Sequence, residues 1–433
     1  MESIWLQTTE LPRFPALENN NITCDVLIIG GGITGLLTAL YLHNKGIDYI
    51  LVEKGRIAHG TTANTTAKIT FQHGLCYNKL LKQVGLESAQ MYLKANQSAF
   101  DELCKLAKSL NCDFEWRDNF VYSVTDRKKL ENEMKALSTL GFNAELCDRP
   151  TIPIETVGAV KFKHQAQFNP LKFLKETIKD LNIYENTWVR EMIGTTAVTD
   201  RVKIKAQKII VATHFPFINK HGSYFLKQYQ HRSYVVALEN AQDVSGMYVD
   251  ECKTGLSFRN YNGLLLLGGG GHRTGKNGGK WAELRRFYKY VYPDTKEITF
   301  WAAQDCMSLD SVPYIGRYSK NTPNMYVATG FNKWGMTGSM LSAMLLSDML
   351  LDRVPDYAVA FNPSRGILKP QLAVNGFEAA KGLLTISQKQ CPHLGCALKW
   401  NKAEHSWDCA CHGSRFDENG AVLDNPANGN LSK

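Results

Sequence analysis

Near the end of the chain stand Cys391-Pro-His393-Leu-Gly-Cys396 and Cys409-Ala-Cys411-His412-Gly-Ser414, with 15 residues between His393 and Cys409. Two thiolates and two neutral imidazoles, one of each per loop, suit a [2Fe–2S] cluster in which histidines replace cysteines on one iron. Structural zinc also takes Cys2His2 sets, but usually as tight C-x2-4-C and H-x3-5-H pairs. Zinc gives no reason for a further cysteine in each loop, or for Gly-Ser after the last histidine.

At the other end, the apolar run Cys24 to Ile29 leads into Gly30-Gly31-Gly32-Ile33-Thr34-Gly35. A helical pattern, Leu36 to Asn44, and a second strand, Tyr49 to Val52, follow and close on Glu53. A G-x-G-x-x-G between strand and helix, with an acid 23 residues after its first glycine, is a dinucleotide-binding pattern. Gly30 permits the tight turn, Gly32 lets backbone approach a pyrophosphate, and Gly35 lets helix and strand pack closely. The helix N-terminus favours phosphate charge, and Glu53 can accept from a ribose hydroxyl. The fingerprint does not choose between FAD and NAD.

The C-terminal pattern, C-x-H-L-G-C followed by C-x-C-H-G-S, resembles the Rieske family. That resemblance implies Cys391 and Cys409 on one iron, His393 and His412 on the other, and a Cys396–Cys411 disulfide tying the loops. It also implies a hydrogen bond from Ser414 to the cluster. Phe416 stands where respiratory-chain members have a tyrosine donor, which predicts a lower potential than theirs, since fewer donors stabilise the reduced cluster.

Residues 20 to 350 resemble the glycine/sarcosine/D-amino-acid oxidase family of flavoproteins, and this makes FAD the expected nucleotide. Gly60-Thr61-Thr62-Ala63-Asn64-Thr65-Thr66-Ala67-Lys68 looks like the loop threaded past the flavin, and Thr187-Trp188-Val189 like the segment that meets adenine. Lys208 to Ala212-Thr213 looks like the strand returning to the nucleotide fold. Ser308-Leu-Asp310-Ser-Val-Pro313-Tyr-Ile-Gly316 and Tyr326 to Gly335-Met336-Thr337-Gly338 look like its closing segments. The cofactor contacts implied are Gly30, Gly32, Gly35, Glu53, Thr61, Thr62, Thr66, Ala67, Val189, Ala212, Thr213, Gly335, Met336 and Thr337.

These motifs need an α/β frame: a Rossmann-like FAD-binding domain interleaved with a β-rich substrate domain, plus a small all-β lobe at the C-terminus. The expected division is an N-terminal segment 1–22, an oxidoreductase domain 23–351, a connector 352–384 and a minimal cluster lobe 385–433. Within the large domain, 23–75, 150–225 and 305–351 read as nucleotide-binding, 76–149 and 226–304 as substrate-binding. About 49 residues bury little core unaided, so the lobe is expected to lean on the flavin domain. A second glycine run, Gly268 to Gly271, lacks the apolar helix that a pyridine-nucleotide site requires. It reads instead as a strand ending near the flavin, with His272, Arg273 and Arg232 as candidates for substrate contact.

Composition is that of a globular protein, 44% hydrophobic and 21% charged, with a net charge of +9 spread along 433 residues. A spread charge argues against a nucleic-acid partner and leaves a membrane surface open. The longest apolar run, near Met340 to Leu351, is too short and too interrupted to span a bilayer. Seven of 11 cysteines lie scattered outside the cluster loops, which fits a reducing cytoplasm. The expected function is a dehydrogenase that oxidises a small amine or amino-acid-like molecule on FAD. Electrons would pass singly through the [2Fe–2S] cluster to an external acceptor, a protein or a quinone. The rival readings are an NAD(P)H-linked reductase and a redox module without its own substrate. A Rieske oxygenase is disfavoured, because His214 and His221 have no nearby carboxylate set for mononuclear iron.

Overall fold

The computed structural model describes residues 2–18, 22–252, 255–276 and 278–431. The first sheet runs in the order Tyr314–Arg317, Met325–Thr329, Lys203–Val211, Ile22–Ile29, Tyr49–Val52, Ile183–Tyr184. All its central pairs are parallel, with Ile28 opposite both Ile210 and Leu51. Such strands are covered on both faces, which is why they read as unbroken apolar runs. The helices Ile33–Asn44 and Gly335–Leu350 share one face and meet through Thr34 Oγ1 and Ser339 Oγ, 2.7 Å apart. Both helices begin at the carboxyl edge of the sheet, where a doubly wound fold binds its ligand.

The second sheet has nine strands, in the order Lys296–Ser308, Gln228–Glu239, Leu264–Arg273, Ser257–Tyr261, Met247–Asp250, Glu115–Ser123, Gly158–Gln167, Lys68–Ile69, with Glu145–Cys147 beside Gly158–Gln167. Gly158–Gln167 pairs with Glu115–Ser123, so the expected nucleotide-binding stretch 150–225 is corrected: its first strand belongs to the second sheet. That strand is buried over most of its length, and such a strand carries no mark of which sheet it joins. Gly268 to Gly271 lie inside the strand Leu264–Arg273, with Gly268 opposite Val235 on one side and Ser257 on the other. The next helix, Trp281–Val291, begins eight positions after Arg273, so none opens directly on the glycine run.

The third sheet is a four-strand antiparallel meander, Leu398–Asn401, Ser406–Cys409, Arg415–Asp417, Val422–Asp424. Its core is small: Cys391, Cys396, Leu398, Cys409, Cys411, Phe416 and Ala427. The stretch expected as the connector 352–384 ends in the helix Pro370–Leu384, which packs on the cluster loops. Gly382 O accepts from Ala397 N at 2.9 Å, and a Cβ on Gly382 would come within 2.3 Å of Cys411 Sγ. The lobe gains the buried surface it lacks from this helix and from the flavin domain.

Candidate functional site

One cavity of about 780 Å³ opens between the first and second sheets. Gly30, Gly32, Glu53, Thr61, Thr62, Thr66, Val189, Ala212, Thr213, Gly335 and Met336 line it. The Glu53 carboxylate accepts from Gly31 N at 2.7 Å and Gly55 N at 3.0 Å; burial raises its pKa against these two bonds. A Cβ at Gly32 would find only Thr62 Oγ1, 3.5 Å away, so the backbone at the helix N-terminus lies open to a phosphate. The Thr62 hydroxyl caps the same turn by accepting from Ile33 N at 3.0 Å. These observations fit FAD.

Three expected cofactor residues act from behind the wall. Gly35 abuts Gly30 O. Ala67 has φ 52° and offers its carbonyl to Arg259 at 2.8 Å. Thr337 donates to Thr70 O at 2.7 Å. Lys68 and His73 also line the cavity and were not singled out from sequence. Burial, reinforced by Arg259, pushes the Lys68 ammonium down to about 7. Burial takes His73 to about 3, against a bond to Thr70 O. Lys68 closes the Thr-rich loop and opens a strand, a legible signal; nothing in the sequence marks His73.

Arg232, His272 and Arg273, the residues expected to meet substrate, do not line the cavity. Arg232 is paired with Glu404 of the lobe, each 4% exposed. Glu404 also accepts from Tyr234 Oη at 2.9 Å and Arg415 at 2.8 Å. Arg415 in turn holds Asp408 and Asp424, both at 3.0 Å. Arg273 donates to Ala410 O at 2.9 Å, Cys411 O at 2.7 Å and Asn375 Oδ1 at 2.9 Å. His272 Nε2 lies 2.8 Å from Tyr234 Oη. These polar groups are the seam between domain and lobe, and the lobe's partner residues lie 137 to 172 positions away, which explains why sequence did not reveal it. Gly275 belongs to the seam as well: at φ 78° it lets the Ala410 backbone approach, and a Cβ there would lie 2.5 Å from Ala410 N.

In the lobe, the His393 and His412 rings stand 4.9 Å apart at 83°. Both Nδ1 atoms are buried without a hydrogen-bond partner. His393 Nε2 donates to Asn219 Oδ1 at 2.9 Å, which leaves the Nδ1 lone pair free for a metal. Burial, with His412 adding to it, takes His393 to about 3; burial takes His412 to about 4. Both rings are therefore neutral, as ligands must be. Hydrogen bonds from Cys391, then Cys396 and Cys411, lower the Cys409 thiol, the direction a thiolate ligand requires. Cys396, Cys409 and Cys411 sulfurs lie within 4.8 Å of one another, and all are separate thiols in this structure. Ser414 is hydrogen-bonded to Cys391, and its Oγ accepts from Ala427 N at 3.0 Å. Phe416 fills the lobe core and has no donor to offer. Two unpartnered Nδ1 atoms facing a cysteine set fit a two-cysteine, two-histidine cluster.

The two centres share a wall. The Asn425 amide donates to Thr213 O and, at 2.7 Å, to Phe215 O, and Asn425 and Thr213 both line the cavity. The Phe215 ring meets His393, and Phe225 meets His412. Asn428 accepts from Trp188 Nε1 at 2.6 Å, so the lobe's tail also closes the adenine-side segment.

Residues 25–349 match the family described as FAD dependent oxidoreductase, and residues 366–433 match the Rieske [2Fe-2S] domain. YhfW of Bacillus subtilis, named for a Rieske 2Fe-2S centre, is 35% identical over 98% of this chain and 96% of its own. Gamma-glutamylputrescine oxidoreductase of Escherichia coli is 23% identical over 77% of this chain and 84% of its own. A cytochrome b6-f complex iron-sulfur subunit of Nostoc punctiforme is 54% identical over 37 residues, 8% of this chain and 21% of its own. Among solved structures, L-proline dehydrogenase from P. horikoshii superposes with a TM-score of 0.67 at 16% identity, over 79% of this chain and 98% of that one. The chain thus belongs to the FAD-dependent oxidoreductase family and carries a C-terminal Rieske [2Fe-2S] domain.

Proposed function

We propose that this oxidoreductase is a dehydrogenase that oxidises a small amine at FAD and delivers the electrons, through its own [2Fe–2S] centre, to an external protein or quinone. FAD supplies a two-electron hydride acceptor, and a [2Fe–2S] centre a one-electron carrier. The observation that carries the reading is the shared wall: Asn425 and Phe215 join the cavity lining to the histidine edge of the lobe. Among the described residues the second sheet lines the cavity with Asp250, Asp305 and one cation, Lys68, but no arginine, and Glu251 follows Asp250 in the wall. That favours a cationic amine over an α-carboxylate as the recognised group. The substrate class named in gamma-glutamylputrescine oxidoreductase points the same way. We include a Cys396–Cys411 disulfide in the reading, to be checked by alkylation and mass spectrometry of the unreduced protein.

The decisive test is an anaerobic screen of amines and amino acids that follows flavin bleaching and the cluster's paramagnetic signal. An amine should bleach the flavin first and raise the cluster signal second. In His412→Ala the flavin should still bleach, while turnover with an artificial acceptor fails. Undiminished turnover in that variant would refute the cluster as the outlet. Bleaching by NADH and by no amine would instead favour the reductase reading.

Lys68 gives this reading a pH signature. With its ammonium held near 7 by burial and Arg259, the neutral amine that can take a proton is the form present above that pH. The kcat/KM is expected to rise with pH through about 7. Lys68→Met should flatten that limb and lower the plateau by about 100-fold, the usual size of a general-base contribution. A variant keeping the wild-type profile would remove Lys68 from the chemistry.

A further inference from the structure

The helix Pro370–Leu384 is inside out. A surface helix normally turns its apolar stripe to the core. Here the stripe facing the protein is Gln371, Asn375, Glu378 and Gly382. Asn375 and Glu378 are the two buried residues. Asn375 Oδ1 accepts from Arg273 at 2.9 Å, Glu378 pairs with Lys276, and Gly382 lies against Cys411 Sγ. The opposite face carries Val374, Phe377, Leu383 and Leu384, continued by Leu368 before it and Ile386 after it. Leu368 is 89% exposed, Phe377 68%, Leu384 85% and Ile386 99%. A contiguous apolar patch of this kind marks an interaction site, not scattered surface hydrophobics.

The charges around the patch select its occupant. From residue 366 to 403 the chain carries Lys369, Lys381, Lys389, Lys399 and Lys402, and its sole acid is Glu378, which is buried and already paired. Lys369 stands at the helix N-terminus and Lys381 is exposed in its last turn, so the helix presents an apolar face flanked by cations. A second copy of this chain would bring the same cations against it. An anionic bilayer supplies both the apolar acyl region and the negative headgroups. Among the described residues no helix is long and apolar enough to cross a membrane, so the contact is one of lying on the surface.

We propose that the helix Pro370–Leu384, with Leu368 and Ile386 at its ends, seats this protein on an anionic membrane surface. The inner face of the same helix holds the first cluster loop through the Gly382 O to Ala397 N bond, so the lobe is the part brought to the bilayer. The inference rests on the helix and its charges and is independent of which electron donor or acceptor is used.

The test is co-sedimentation of the flavin- and cluster-loaded full chain with vesicles of phosphatidylcholine alone or mixed with phosphatidylglycerol. Binding to the mixed vesicles is expected, at least about tenfold tighter than to phosphatidylcholine, and weakened by salt. Leu384→Ser with Ile386→Ser should lower it by tenfold or more with unchanged flavin and cluster spectra, since these side chains point to solvent. Lys381→Gln and Lys399→Gln should each lower it about fivefold. No binding by the unaltered protein, equal binding to both vesicles, or partition unaffected by the serine pair would overturn the proposal. So would a concentration-dependent dimer that the serine pair abolishes, because a second copy would then be the occupant.

Discussion

Gly32→Ala is expected to give a folded protein that purifies almost free of flavin, whereas Gly35→Ala should fail as a fold. The two positions differ in what a methyl group would meet. At Gly32 the nearest atom is Thr62 Oγ1, 3.5 Å away, an ordinary contact, so the protein itself loses little. The methyl would occupy the approach to the helix N-terminus, where a pyrophosphate must come within hydrogen-bonding distance of backbone N–H groups. A rise in FAD dissociation constant of at least about 100-fold, roughly 2.7 kcal/mol, is expected from fluorescence titration of the stripped protein. At Gly35 the methyl would lie 2.0 Å from Gly30 O, inside the turn that joins strand to helix. Neither atom can yield without moving the helix off the sheet, at a cost of about 3 kcal/mol or more. Melting followed by circular dichroism should show Gly35→Ala unfolded or strongly destabilised. Full flavin occupancy in Gly32→Ala would show that the backbone there does not approach the cofactor.

Both glycines are legible in the sequence from spacing alone. The glycine turn, Glu53 and the Cys/His loops are local patterns whose spacing carries their mechanics: the turn joins Ile22–Ile29 to Ile33–Asn44, Glu53 follows Tyr49–Val52, and the loop cysteines pack in the core of the third sheet. The helix Pro170–Thr177 opens on a cap of the same local kind, with Asn169 Oδ1 accepting from Leu171 N at 3.0 Å. Assignments that depended on distant partners were less secure. Arg232, His272 and Arg273 looked like substrate groups because polar residues at a strand end near a cofactor commonly are. Their partners, Glu404, Ala410 and Cys411, come from the far end of the chain, and no periodicity announces such pairings. The helix Pro370–Leu384 was half hidden for another reason: its exposed Phe377, Leu383 and Leu384 imitate a core-facing stripe, while the residues that dock it are polar. Glycines 275 and 278 have a long-range reason too: they are small where Ala410 and Asn401 of the lobe lie against them.

Glu404 is where the lobe's attachment is most exposed to a single change, and Glu404→Gln is expected to loosen the seam by about 3–5 kcal/mol. The carboxylate answers two guanidinium groups, Arg232 and Arg415, together with the Tyr234 hydroxyl and the Asn401 amide. Arg415 keeps Asp408 and Asp424 when the charge is removed. Arg232, only 4% exposed, is left without a carboxylate partner, and an uncompensated buried charge accounts for the large cost. Exchanging both members for apolar residues, Arg232→Met with Glu404→Leu, should recover most of the loss, since a buried pair replaced as a whole is close to neutral. The pH dependence has a fixed sign. Burial raises Glu404, but Arg232 and Arg415 outweigh it and hold the carboxyl below its usual range; Asp424 is likewise held down, chiefly by Arg415 acting against burial. A depressed folded value means stability that is present above the unfolded pKa, about 4 for these groups, and lost as pH falls through the folded value. Hydrogen exchange across the lobe should therefore accelerate below about pH 4 in the wild type. Glu404→Gln should show faster exchange already at neutral pH and a shallower acid response. Faster exchange should be matched by slower reduction of the cluster after the flavin bleaches, because the seam fixes Phe215 and Asn425 against the histidine edge. If Glu404→Gln exchanged and transferred electrons as the wild type does, the seam would be packing alone and its ion pairs incidental.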